Sequence, residues 1–288
     1  MTEDPFAPYF QTTELDEDES FLIQDPFGVR EVVQPIISIP EDGGNDTQIT
    51  GIGTCFQISP WSWMTAQHAL EYDDENTFPP GEVGAVGFSP GLVFGTFGFY
   101  GPDIFAPIRQ TFSIKAQEGQ IDPRTGREPP KMMSDMSVLY VDTSLIKREG
   151  KISPLPISNE PVKIGDKLLA VGFPILGTKF TSDKQVFEER MHGARCVVTE
   201  LYPKGRGDSQ QWPCIQVEGN IKSGMSGGPV INAKGEVVGI VSSSFPSTED
   251  GPGTGFFINL TSIDLSMIAP EVYRAKCLTS APMAQIWA

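Results

Sequence analysis

The run Gly224-Met225-Ser226-Gly227-Gly228-Pro229 leads into the strand-like pair Val230-Ile231, and ten residues after the serine comes Glu236-Val237-Val238-Gly239-Ile240-Val241-Ser242. Glycines on both sides of a serine let the backbone turn its amides toward a developing oxyanion while leaving the hydroxyl uncovered. Such a run can host a nucleophile. Taken alone it also reads as an ordinary glycine-rich hairpin of a β-protein.

A serine hydroxyl is a weak nucleophile unless an imidazole takes its proton and a carboxylate orients that imidazole. The chain has two histidines. His68 lies in Trp63-Met64-Thr65-Ala66-Gln67-His68-Ala69-Leu70, where an apolar stretch meets a short turn. His192 lies in the polar run Arg190-Met191-His192-Gly193 and reads as structural. The carboxylate is suggested by Ser134-Asp135-Met136-Ser137-Val138-Leu139-Tyr140-Val141, an acid set just before an alternating segment that can keep it nearly dry. Each feature has a plainer reading by itself, His68 as a core or turn residue and Asp135 as a turn. Their concurrence carries the argument.

The three segments occur in the order His, Asp, Ser, with 67 residues from His68 to Asp135 and 91 from Asp135 to Ser226. Together they resemble the chymotrypsin (trypsin-like) serine protease family: Thr65 to Ala69 its histidine box, Asp135 to Leu139 its aspartate box, Gly224 to Pro229 its serine box. The order sets this pattern apart from the α/β-hydrolases and the subtilisins. The resemblance spans roughly residues 50 to 260 and implies an all-β fold of two packed antiparallel six-stranded barrels. It implies Ser226 as nucleophile, His68 as base and then acid, Asp135 as the group orienting the imidazole, and the amides of Gly224 and Ser226 as the oxyanion hole. No metal or organic cofactor is expected.

Asp166 to Pro174, Glu218 to Val230 and Gly235 to Ser242 are similar to the corresponding strands of HtrA (Deg)-type proteases, without a segment after about residue 275 long enough for a PDZ domain. The expected organisation is an acidic extension over 1–33, a protease domain over 34–275 with barrels at about 34–146 and 162–265, a short helix or tail after Ser266, and a C-terminal tail over 276–288. A linker is expected near Lys147 to Pro161, and Asp122 to Pro130 has the composition of a protruding loop.

Aligning the serine box puts Asn220 where trypsin-type enzymes hold the acid that pairs with Arg or Lys. Ile221 follows it, and Ser242, Ser243 and Ser244 form the facing wall of the substrate pocket. A neutral amide leaves a guanidinium unpaired, so the pocket is expected to take a small or apolar side chain such as Val, Ala, Leu or Thr, unless Glu218 or Asp250 reaches inward. Met225 stands where secreted relatives place the Asp that pairs with a newly cut N-terminus. Activation by such a cut is therefore not expected, and control is assigned to a partner or to loop rearrangement.

Composition agrees with one all-β unit, with 30 Gly and 25 Pro in 288 residues and turn clusters at short intervals. The net charge of −16, from 37 acidic and 21 basic residues, repels phosphates and anionic lipid, so neither nucleic acid nor membrane is an expected partner. The partners expected are a protein or peptide substrate and an activating protein. The four cysteines form no CxxC pair, which argues against structural zinc. Ala69 stands where secreted relatives carry a disulfide cysteine, leaving Cys55 without that partner, and the N-terminus lacks a signal sequence. A reduced, cytoplasmic chain is the expectation, with a Cys196–Cys214 disulfide the alternative. Two other functions fit the same boxes: a pseudoprotease adaptor, and an esterase.

Overall fold

The structure is a computed structural model that describes residues 6, 11–15, 20–24, 29–40, 50–59, 62–70, 88–93, 105–115, 132–141, 154–181, 184–207, 210–248 and 251–263. The expected protruding loop at Asp122 to Pro130, the tail after Ser266, most of the acidic Glu14 to Glu19 run, Asp250 and Cys277 lie outside these residues, as does the first part of the linker.

Strand β3 (Val33–Pro40) begins the first barrel, followed by β4 (Thr50–Gln57), β5 (Ser62–Thr65), β6 (Phe88–Val93), β7 (Phe105–Lys115) and β8 (Met132–Val141). Antiparallel pairing closes them into a ring in the order β3-β4-β5-β8-β7-β6. The second barrel is built from β9 (Lys167–Thr181), β10 (Lys184–Tyr202), β11 (Cys214–Glu218), β12 (Pro229–Ile231), β13 (Val237–Phe245) and β14 (Thr254–Asn259). These run β10-β11-β14-β13-β12-β9, and a further β10–β9 pairing completes the circuit. The fold is therefore all-β with two six-stranded barrels.

Alternation along the strands decides what each barrel buries, because successive side chains leave a strand on opposite faces. On β9, Leu168 and Ala170 enter the core of the second barrel with Val198, Ile215, Val230 and Phe257. Leu169, Val171 and Phe173 point the other way, into a seam shared with Val33, Phe56, Met64 and Val138 of the first barrel. Trp63, Ile36, Leu92 and Leu139 fill the first barrel itself. Both faces of β9 are thus apolar, and its sequence is a nearly unbroken apolar run rather than an alternating one. Each fully buried side chain of this size contributes about 1.5–3 kcal/mol, so burial in the seam adds to the stability that each core supplies.

The extension contains a hairpin. Strands β1 (Gln11–Leu15) and β2 (Ser20–Gln24) pair, and β2 joins β10 with Leu22 opposite His192 and Ser20 opposite Ala194. Phe6 and Ile23 are buried in the seam cluster.

The position facing Ala69 is Gly53, where an added Cβ would lie 2.9 Å from that of Ala69. This corrects the expectation that placed Cys55 there: Cys55 lies two residues further along β4, opposite Gln34 of β3, and is buried in the first barrel's cluster instead. Cys196 and Cys214 are free thiols. Cys214 pairs with Tyr202 on β10, six residues from Cys196, a separation of roughly 20 Å along the strand that no disulfide can span.

Candidate active site

Pairing between β5 and β8 brings the histidine to the aspartate. Thr65 lies opposite Ser137, and the antiparallel register carries the next turn, Gln67–Ala69, directly over Asp135. The His68 amide donates to Asp135 Oδ1 at 2.9 Å, and His68 Nδ1 lies 2.7 Å from Oδ2. The Asp135 side chain is only 3% exposed, against 44% for His68. An ionised carboxylate can only accept, so Nδ1 carries the proton and the lone pair of the neutral ring sits on Nε2, the atom away from Asp135. Beneath the turn, the Ser137 hydroxyl donates to the Gln67 side-chain oxygen.

Ser242 joins this pair to the serine. Its hydroxyl donates to Asp135 Oδ2 at 2.6 Å, and its carbonyl accepts from Ser226 Oγ at 3.4 Å. The four residues Ser226, Ser242, Asp135 and His68 form one connected group at the seam. The sequence marks Ser242 only as a pocket wall. The separate signal for its second role, a serine at the end of the apolar run Val237 to Val241, is too common to single it out.

The backbone before β12 commits some amides and leaves others. The Met225 amide donates to Lys222 O at 3.3 Å, that of Gly227 to Val241 O at 2.8 Å and that of Gly228 to Met225 O at 2.9 Å. Those of Gly224 and Ser226 have no acceptor among the described residues. Gly224 has φ +87° and Gly227 φ +85°, and a Cβ on Gly227 would lie 2.1 Å from Thr65 Oγ1. Only glycine fits there. Met225 is fully buried in the second barrel's core.

Of the expected pocket residues, Ile221 and Ser242 are buried, and Asn220, Ser243 and Ser244 are half-buried. The Ser244 hydroxyl donates to Ile221 O at 2.9 Å, and Gln210 Nε2 donates to Ser243 Oγ at 3.0 Å. A Cβ on Gly255 would meet Ile221 Cδ1 at 2.1 Å, so the isoleucine side chain lies over the bare backbone of β14. Glu218 is exposed at the end of β11. His192 is buried in the sheet between Gly172 of β9 and Leu22 of β2.

A family model described as a trypsin-like peptidase domain matches residues 53–240. A probable periplasmic serine endoprotease, DegP-like, of Pseudomonas putida (strain GB-1) is 34% identical over 128 residues, 43% of this chain and 24% of that protein. The serine protease Do-like HtrA of Lactococcus lactis subsp. cremoris (strain MG1363) is 31% identical over 129 residues, 43% of this chain and 30% of that one. The chain thus spans less than a third of the length of these relatives. Among solved structures, the active form of the Rv3671c protease from M. tuberculosis is 18% identical with a TM-score of 0.48, covering 91% of each chain.

Proposed function

The chain belongs to the trypsin-like peptidase family, and from that premise we propose that it is a serine endopeptidase in which Ser226, His68 and Asp135 act as one unit. The observation that carries this reading is the double hold on Asp135, by His68 through both its amide and its ring and by Ser242, whose carbonyl receives the Ser226 hydroxyl. Nε2 of His68 takes the Ser226 proton as Oγ attacks the scissile carbonyl. The carbonyl oxygen becomes an oxyanion facing the Gly224 and Ser226 amides. Each such donor is worth on the order of 3 kcal/mol in the transition state. The imidazolium, stabilised by Asp135, returns its proton to the leaving amine, and water repeats the cycle on the acyl-enzyme.

The substrate is a protein segment that lies extended along Ser242 to Ser244 of β13, adding a strand to its edge. The pocket beside it, narrowed by Ile221, accepts small or apolar side chains, and this selectivity supports limited cleavage of particular proteins, under the control of an activating partner or of loop movement. Buried free thiols at Cys55, Cys196 and Cys214 suit a reducing compartment, and the cytoplasm is part of the same proposal.

A fluorophosphonate probe and a peptide substrate test the assignment. Wild-type protein is expected to be labelled and to cleave. Ser226→Ala and His68→Ala are each expected to lose several orders of magnitude in kcat, and the double variant little more. Near-wild-type turnover by a folded Ser226→Ala protein would overturn the proposal.

A further inference from the structure

Thr54 on β4 belongs to the first barrel, yet its contacts reach the loop that carries Ser226. Its amide donates to Ser226 O at 2.8 Å. Its hydroxyl accepts from the Phe173 amide at 3.0 Å and donates to Gly224 O at 2.9 Å. The Thr54 carbonyl in turn accepts from Thr65 Oγ1 at 2.7 Å, which ties the residue back to the strand leading to His68. The direction of each bond is settled by chemistry: an amide can only donate and a carbonyl only accept, so the single hydroxyl proton goes to Gly224 O. Thr54 is fully buried.

We infer that Thr54 is a positioning residue for the oxyanion hole, an inference that rests on the serine-protease reading of Ser226. The peptide joining Gly224 to Met225 is gripped at both ends, its carbonyl by Thr54 Oγ1 and its N–H by Lys222 O. Ser226 O is fixed by the Thr54 amide. Those bonds pin the backbone that carries both donors: Gly224 is held through its own carbonyl, and the peptide bearing the Ser226 N–H is held through the Met225 carbonyl, which accepts from the Gly228 amide, so displacing either residue breaks a hydrogen bond. Gly172 makes the close approach possible, since a Cβ there would lie 2.8 Å from Met225 Cα and 3.0 Å from Thr54 Oγ1. The anchorage also answers a question of design. A loop with Met225 in place of an acid cannot be held by a buried N-terminal ammonium, and here apolar burial of Met225 combines with the Thr54 hydroxyl to hold it.

The test compares wild type, Thr54→Val, Thr54→Ser and Ser226→Ala as full chains on a tetrapeptide amide with valine before the scissile bond. Valine keeps the shape but leaves the Phe173 amide and Gly224 carbonyl unmatched. Its kcat is expected to fall about 10- to 100-fold with KM changed less than about twofold, because misplacing the donors by a fraction of an ångström weakens transition-state binding and not substrate binding. Thr54→Ser is expected to restore kcat to within about threefold of wild type. Should Thr54→Val fail to fold, Thr54→Cys takes its place, since a thiol is a weak donor, and it must turn over more slowly than Thr54→Ser. An unchanged kcat in Thr54→Val, or equal rates for the cysteine and serine variants, overturns the inference while Ser226→Ala remains inactive. An active Ser226→Ala protein removes the protease reading itself.

Discussion

The Ser242 hydroxyl and the Asp135 carboxylate meet at 2.6 Å, on the same oxygen that faces the His68 ring. Oδ1 is held by the His68 amide, so the carboxylate is fixed at both oxygens and cannot rotate. A hydrogen bond to a charged acceptor contributes about 1.5–3 kcal/mol. Ser242→Ala is therefore expected to lower kcat about tenfold with KM little altered, leaving the backbone carbonyl that receives Ser226 Oγ in place. Steady-state kinetics on a peptide amide would read this split, and a change confined to KM would assign Ser242 to the pocket alone.

The N-terminal segment is bound by burial. Phe6, Ile23, Val29 and Val32 all lie in the seam cluster between the barrels. Ile23→Ala is expected to destabilise the protein by about 2–4 kcal/mol, as large-to-small changes in a core do. Deleting residues 1–28 should lower Tm further and leave kcat no higher, measured by thermal unfolding and peptide cleavage. A rise in activity on deletion would mean that the segment restrains the site.

These two cases mark where sequence reading reaches. His68, Asp135 and Ser226 are legible because each sits in a short run with its own chemical logic and the three stand in one order. The all-β class is legible from composition and turn spacing, while the two barrels follow from the resemblance those three runs carry. Thr54 is not, since its value lies in contact with Gly224, 170 residues away, and nothing in Gly53-Thr54-Cys55 announces that. Docking of β2 on β10 is hidden for a similar reason: Ser20-Phe21-Leu22-Ile23-Gln24 follows an acidic stretch that reads as an extension either partly disordered or draped on the body, and its partner at His192 to Ala194 lies about 170 residues further along the chain. Placing Cys55 or Gly53 opposite Ala69 is a question of position along β4, since the two lie two residues apart on one face and alternation cannot choose between them.

The thiols offer a check on that packing. Burial pushes the Cys196 thiol up to about 12 and the Cys214 thiol up to about 11, and it raises Cys55 well above the ordinary range, because a thiolate loses its hydration inside the barrels. The thiolate is the reacting species. At pH 8 these three cysteines are expected to resist alkylation by iodoacetamide in the native protein and to react fully in denaturant, as read by mass spectrometry. Rapid native labelling of Cys196 or Cys214 would show that the β10–β11 region opens.

Specificity follows from what occupies the pocket. Ile221 is buried, its carbonyl is tied to the Ser244 hydroxyl, and its Cδ1 fills the space in which a side chain on Gly255 would sit. On the pocket proposed above, a substrate side chain entering beside Ser226 is expected to meet Ile221 as an apolar floor. Large aromatic groups are expected to be disfavoured there, and a guanidinium facing the neutral Asn220 is expected to go unpaired among the described residues, at a cost of several kcal/mol. A peptide library is expected to favour Val, Ala, Leu or Thr before the scissile bond. Ile221→Ala should deepen the pocket by roughly the volume of three methyl or methylene groups, shifting preference toward Phe or Met. One methylene in an apolar pocket is worth about 1–3 kcal/mol, so kcat/KM for Phe over Val should rise at least tenfold relative to wild type. A wild-type profile dominated by Arg or Lys would overturn the neutral pocket and direct attention to Asp250 as the acid that reaches it.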